Sequence, residues 1–103
     1  MMRVVVLYKR PDDVDAFLQY YRDVHAPLAR KIPGLATFEV MRFTGPDSGG
    51  EPPYFLMAVL SFPDRATFDA AMRSPESRAA VEDLDNFARG LTTVLIAEDA
   101  EGV

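Results

Sequence analysis

Arg3-Val4-Val5-Val6-Leu7-Tyr8-Lys9 decides the fold of this chain. The run is β-branched and apolar, and it does not alternate. Residues 3 to 9 therefore read as a strand with both faces covered. Pro11 ends it, and Asp12 or Asp13 is placed to cap a helix by accepting early backbone N–H groups. That helix sets Val14, Phe17, Leu18, Tyr21 and Val24 at helical spacing, with His25 on the same stripe. Pro27 is expected to disrupt regular helix, Leu28 extends the stripe through a further short turn, and Pro33-Gly34 marks a turn.

Outward from there the pattern repeats. Residues 35 to 43 read as a second strand with mixed alternation. Gly45 to Pro53 reads as a loop, and residues 54 to 62 as a third strand, apolar on both faces. Pro63-Asp64 opens a helical stretch carrying Ala66, Phe68, Ala71 and Met72. Ser74-Pro75 reads as an N-cap followed by proline at the first helical position. The helix it starts is expected to turn Ala80, Val81, Leu84, Phe87 and Ala88 inward and to stop near Gly90. Residues 91 to 98 read as a fourth strand, and the acidic tail from Asp99 to Val103 as frayed.

The order β-α-β-β-α-β is the ferredoxin-like, α+β pattern: a four-stranded antiparallel sheet with its helices on one face. Strands one and three are then central. Helices on one face leave the other apolar face open, a patch that monomers avoid. A second copy of the sheet is the simplest cover, which predicts a homodimer.

A length of 103 residues sets one domain, 1–103. The net charge of -5 argues against nucleic acid, whose phosphates demand clustered Lys and Arg, and against anionic membranes. Without cysteine there is no disulfide, thiolate nucleophile or Cys-ligated zinc. No apolar run approaches the roughly 20 residues of a membrane span, and the N-terminus lacks the pattern of a signal peptide. The expectation is a cytoplasmic protein.

His25 is the one histidine and the first candidate for chemistry. Imidazole gives or takes a proton near neutral pH, and its stripe position faces it toward the space between helix and sheet. The plainer alternative is a buried histidine at a helix end, favoured by the dipole. Tyr21 lies on the stripe and Tyr20 on its edge. A phenol can donate to a carbonyl oxygen where charge develops. Tyr8 and Tyr54, at strand ends, are candidates for the same space, against a plain packing role for each. Lys9, Arg22 and Arg42 are candidates for holding a ligand carboxylate, against solvated surface positions. Glu39 is a candidate second proton-transfer group, against outward solvation. Glu82, Asp83 and Asp85 read as a solvated helix face. One His and no Cys give no transition-metal site, while an oxygen-only Mg²⁺ or Ca²⁺ site stays open. No phosphate loop, dinucleotide fingerprint or nucleophile elbow is present, so no cofactor is expected.

Tyr21-Arg22-Asp23-Val24-His25-Ala26-Pro27-Leu28, followed by Ile32-Pro33-Gly34, resembles the helix-one signature of the EthD-like family. Ser74-Pro75-Glu76 with Asp83 and Asn86-Phe87 is similar to its second signature, and the match runs over about residues 3 to 98. The resemblance implies a dimeric α+β barrel and gives His25 more weight. Kindred barrels include muconolactone-type isomerases, polyketide cyclases and small monooxygenases. The expected function is a lyase or isomerase using His25, with Tyr21, on an apolar carbonyl-bearing ligand. Tyr8, Tyr20, Tyr54 and Arg42 would bind that ligand. The alternatives are a non-catalytic accessory ligand-binding protein, a cofactor-independent monooxygenase, or haem binding through His25.

Overall fold

The computed structural model describes residues 1–103. Its elements run β1 (Met2–Tyr8), α1 (Val14–Tyr20), a π turn (Tyr21–His25), α2 (Ala26–Arg30), β2 (Thr37–Arg42), β3 (Leu56–Phe62), α3 (Arg65–Met72), α4 (Pro75–Phe87) and β4 (Thr92–Glu98). The sheet is antiparallel throughout, in the order β2-β3-β1-β4. This is the ferredoxin-like arrangement, and the two most apolar strands are central, as their composition requires. The strands begin one or two residues away from the expected limits, because pairing register rather than apolarity sets their ends.

Register assigns the faces. Val4 of β1 lies opposite Leu60 and Ile96, and Val6 opposite Ala58 and Val94. Met2, Val4, Val6 and Tyr8, with Leu56, Ala58, Leu60 and Phe62, are buried and form the core floor under the helices. The odd residues of β1, Arg3, Val5 and Leu7, are only half-buried on the other side. Beside them lie half-buried Met57 and Val59 and exposed Met41 and Leu95. The expectation that β1 is covered on both faces is thus met on one face within the chain, because every helix packs on the same side.

Both expected N-caps form, at Asp13 and Ser74, and Asp64 caps the helix that Pro63-Asp64 is expected to open. Asp13 accepts from Ala16 N–H at 3.0 Å, Asp64 from Thr67 N–H at 2.8 Å, and Ser74 Oγ from Ser77 N–H at 3.1 Å. Gly34, in the turn after α2, has φ +78°, and a Cβ there would collide with the Thr67 methyl. Glycine at this position lets the chain pass tightly against α3.

Several expectations change. Pro27 does not break the helix. It lies in the first turn of α2, directly after the π turn, in which the Ala26 N–H reaches back to the Tyr21 carbonyl. Proline supplies no N–H and crowds the preceding turn. A widened turn just before it takes up that misfit and keeps the rod from Val14 to Arg30 continuous. The widening also changes which residues align: His25 follows Tyr21 inward, while Val24 is turned out and 39% exposed. Val81 is 62% exposed instead of buried, and Ala66 is exposed too. The tail is tethered at its start, since Arg3 pairs with Asp99 at 2.6 Å across the β1–β4 edge. No helix is long and apolar enough to cross a membrane.

Candidate functional site

An aromatic cluster carries the site. The ring of Phe17 lies 5.6 Å from Tyr8, 5.9 Å from Phe55 and 5.2 Å from Phe87. Tyr8 meets Tyr21 edge-on at 5.7 Å, and the His25 ring packs 5.2 Å from Tyr21 and 4.8 Å from Phe87. These contacts fix the imidazole plane before any polar contact is made.

The polar contact comes from α4. His25 Nδ1 lies 2.9 Å from Asp83 Oδ2, and both side chains are buried. The Tyr20 hydroxyl donates to Asp83 Oδ1 at 2.6 Å, and Asn86 Nδ2 donates to the same oxygen at 3.0 Å. This corrects the reading of the acidic run as a solvated face. Glu82 and Asp85 are exposed, but Asp83 is 5% exposed and fully hydrogen-bonded. α4 turns one carboxylate of the run inward because position 83 follows Ala80 by three residues.

Burial works to raise the Asp83 carboxyl. Hydrogen bonds from Tyr20, Asn86 and His25 outweigh it and hold it below the usual carboxylate range. Asp83 is therefore an acceptor at neutral pH. Burial lowers the His25 imidazole below its ordinary value, with Asp83 opposing. The neutral ring then carries its proton on Nδ1, donated to Asp83, which leaves the Nε2 lone pair free of protein partners. The Tyr20 phenol is raised by its hydrogen bond to Asp83.

His25 stands on the wall of a cavity of about 130 Å³ between helices and sheet. Val4, Val6, Ala58 and Leu60 form its floor, and Ala29, Ile32, Ala80 and Leu84 its roof. Val81, Val94 and Ile96 stand at its rim, half or more exposed. The polar side chains among its lining residues are few: His25, Ser77, Tyr8 and Tyr21. Both phenol oxygens are buried and lack a hydrogen-bond partner. They are neighbours, and each perturbs the other, but no hydrogen bond of good geometry joins them. Burial raises both phenols, Tyr21 to about 12 and Tyr8 further, so both keep their protons as donors. Two buried unpartnered donors are costly unless something accepts from them.

The structure thus brings His25, Tyr21 and Tyr8 to one cavity, with Tyr20 behind His25 through Asp83. Tyr54 and Arg42 line a separate groove at the end of the sheet. Lys9, Arg22 and Glu39 are exposed, Glu39 on the open sheet face. No three His, Asp or Glu side chains converge to hold a metal ion. Asp83 and Asn86 are the residues of this candidate site that periodicity missed. The clue available was their place beside Phe87 on the helix that faces His25.

Stability follows from the His25 shift. A folded pKa below 6.5 means the unfolded chain binds the proton first. The contribution is full above 6.5 and is lost as pH falls through that window toward the folded value. The melting temperature is expected to drop between pH 7.5 and pH 5, with a flatter profile in His25→Phe. Asp83 adds a further loss only below its ordinary 3.8.

A family model described as the EthD domain matches residues 9–90. A protein of Rhodococcus erythropolis, described as an uncharacterized 11.0 kDa protein in the thcB-thcC intergenic region, is 34% identical over 99 residues, 96% of this chain and 95% of the relative. The crystal structure of an EthD family protein from Bacillus halodurans C-125 is 38% identical, with a TM-score of 0.90, over 97% of this chain and 99% of that one. A dimeric ferredoxin-like protein of unknown function from Thermobifida fusca is 18% identical with a TM-score of 0.68, over 95% of this chain and 90% of the other.

Proposed function

The chain belongs to the EthD family, and from that premise we propose that it is a small-molecule enzyme of the lyase or isomerase kind. Its ligand is an apolar ring bearing a carbonyl. The observation that supports this reading is that His25, with one imidazole nitrogen free of protein partners, lines an apolar cavity together with Tyr8 and Tyr21, whose buried hydroxyls lack a hydrogen-bond partner. His25 Nε2 takes the proton from the carbon next to the carbonyl, and the C–H electron pair moves into the enolate. Tyr8 and Tyr21 donate to the oxygen where that charge collects. The imidazolium, held by Asp83, returns the proton to another carbon in an isomerisation, or to a departing hydroxyl in an elimination. The cavity suits one ring, since about 150 Å³ of apolar space accommodates benzene.

Deuterium uptake next to the carbonyl of cyclic ketones, followed by NMR in D₂O, tests this. The protein is expected to speed uptake in a saturable way. Ketones that bind without faster exchange would instead support a non-catalytic accessory protein.

The open sheet face belongs to the same reading. Val5, Leu7, Met57 and Val59 with Met41 and Leu95 form an apolar surface on the side without helices. A homodimer stacked through it would bury this patch, and the dimeric relative of the same fold supports that assembly. Light scattering is expected to give twice the 11.5 kDa chain mass. Val5→Lys, which places an ammonium on the central strand between Val59 and Leu95, is expected to give the single-chain mass.

A further inference from the structure

Beyond Tyr8 the sheet ends in a groove of about 510 Å³, distinct from the His25 cavity. Arg10, Arg42, Thr44, Glu51 and Tyr54 line it above the ring of Phe55. Phe55 is 3% exposed and locked against Phe17, so it is a fixed platform. The Arg42 guanidinium sits 4.9 Å and that of Arg10 5.8 Å from the centre of this one ring. Neither forms an ion pair, although acidic residues outnumber basic ones 16 to 11 in the chain.

Two cations repel at short range, and in an acidic protein counter-ions are plentiful. Here two guanidiniums lie 4.9 and 5.8 Å from the centre of one aromatic ring, and neither is paired with a carboxylate. Contact with a fixed ring restrains two guanidiniums that both line the groove, and a guanidinium fork suits bidentate oxyanion binding. Thr44 and Tyr54 add hydroxyl donors on the same wall. Glu51 is the one carboxylate there, and it opposes an anion.

We propose that this groove is a second binding site that takes the oxyanion group of a small organic acid, with Arg42 and Arg10 as its charge-assisted donors. The site does not depend on the reading given to His25, because none of its residues lies on the cavity wall.

An amide-resolved NMR titration at constant ionic strength tests it, with benzoate in one arm and inorganic phosphate in the other. Saturable shifts confined to residues 10, 42–44 and 51–55 are expected, with a Kd of about 1 mM. Saturation by benzoate alone identifies a carboxylate site, and saturation by both identifies a general oxyanion site. Arg42→Gln and Arg10→Gln should each weaken binding at least about fivefold, and Glu51→Gln should tighten it, by changing charge at a fixed site. His25→Ala should leave it unchanged. The proposal is overturned by unsaturable shifts, by parental affinity in the Arg42→Gln and Arg10→Gln variants, or by shifts centred on Tyr21 and Ala29.

Discussion

His25→Ala is expected to lower ring-ketone exchange by about 10²–10⁴-fold, the usual worth of a positioned base. Asp83→Asn should lose nearly as much while keeping the fold. A carboxamide can present its NH₂ to Nδ1, which moves the imidazole proton to Nε2 and removes the lone pair from the cavity. The buried pair acts as a unit, so His25→Ala/Asp83→Asn should be no slower than His25→Ala alone. Additive losses would show that Asp83 acts on its own. Exchange kinetics of the four proteins, alongside their circular dichroism, decide the matter.

Phe17→Ala is expected to destabilise the chain by about 3–5 kcal/mol, the range for emptying a buried aromatic site. Phe17 is 4% exposed and touches the rings of Tyr8, Tyr21, Phe55 and Phe87. Domains of this kind are stable by only about 5–15 kcal/mol. The melting temperature should therefore fall by roughly 15 °C or more. Because Phe87 braces both Phe17 and His25, the same change should loosen the imidazole and slow exchange beyond the loss of folded protein. Val81→Ala, at the exposed rim, should stay within about 0.5 kcal/mol of the parent. Thermal melts of the three proteins test both statements.

The helix limits were legible because their signals are local. Asp13, Asp64 and Ser74 cap by bonding backbone groups three residues away, and such bonds depend on sequence spacing alone. The π turn was not legible. Pro27 signals a disturbance, but whether the rod breaks or widens depends on what holds both halves. Here burial of Tyr21, His25, Ala29 and Ile32 against the sheet keeps the rod continuous. The inward direction of His25 followed from its stripe. Its partner did not, because Asp83 lies 58 residues away and a carboxylate among carboxylates carries no mark of burial.

By itself the sequence determined the element order, the two central strands, the caps, and that His25 and Tyr21 share an inward face. Apolar periodicity and local hydrogen bonding act over a few residues, so they can be read in a line. Only the tertiary structure decided that Asp83 meets His25, and that no protein group pairs with the hydroxyls of Tyr8 and Tyr21. It also decided that Arg42 and Tyr54 stand with Arg10 at a different place. Those facts depend on which side chains distant segments bring within about 3 Å, the reach of a hydrogen bond.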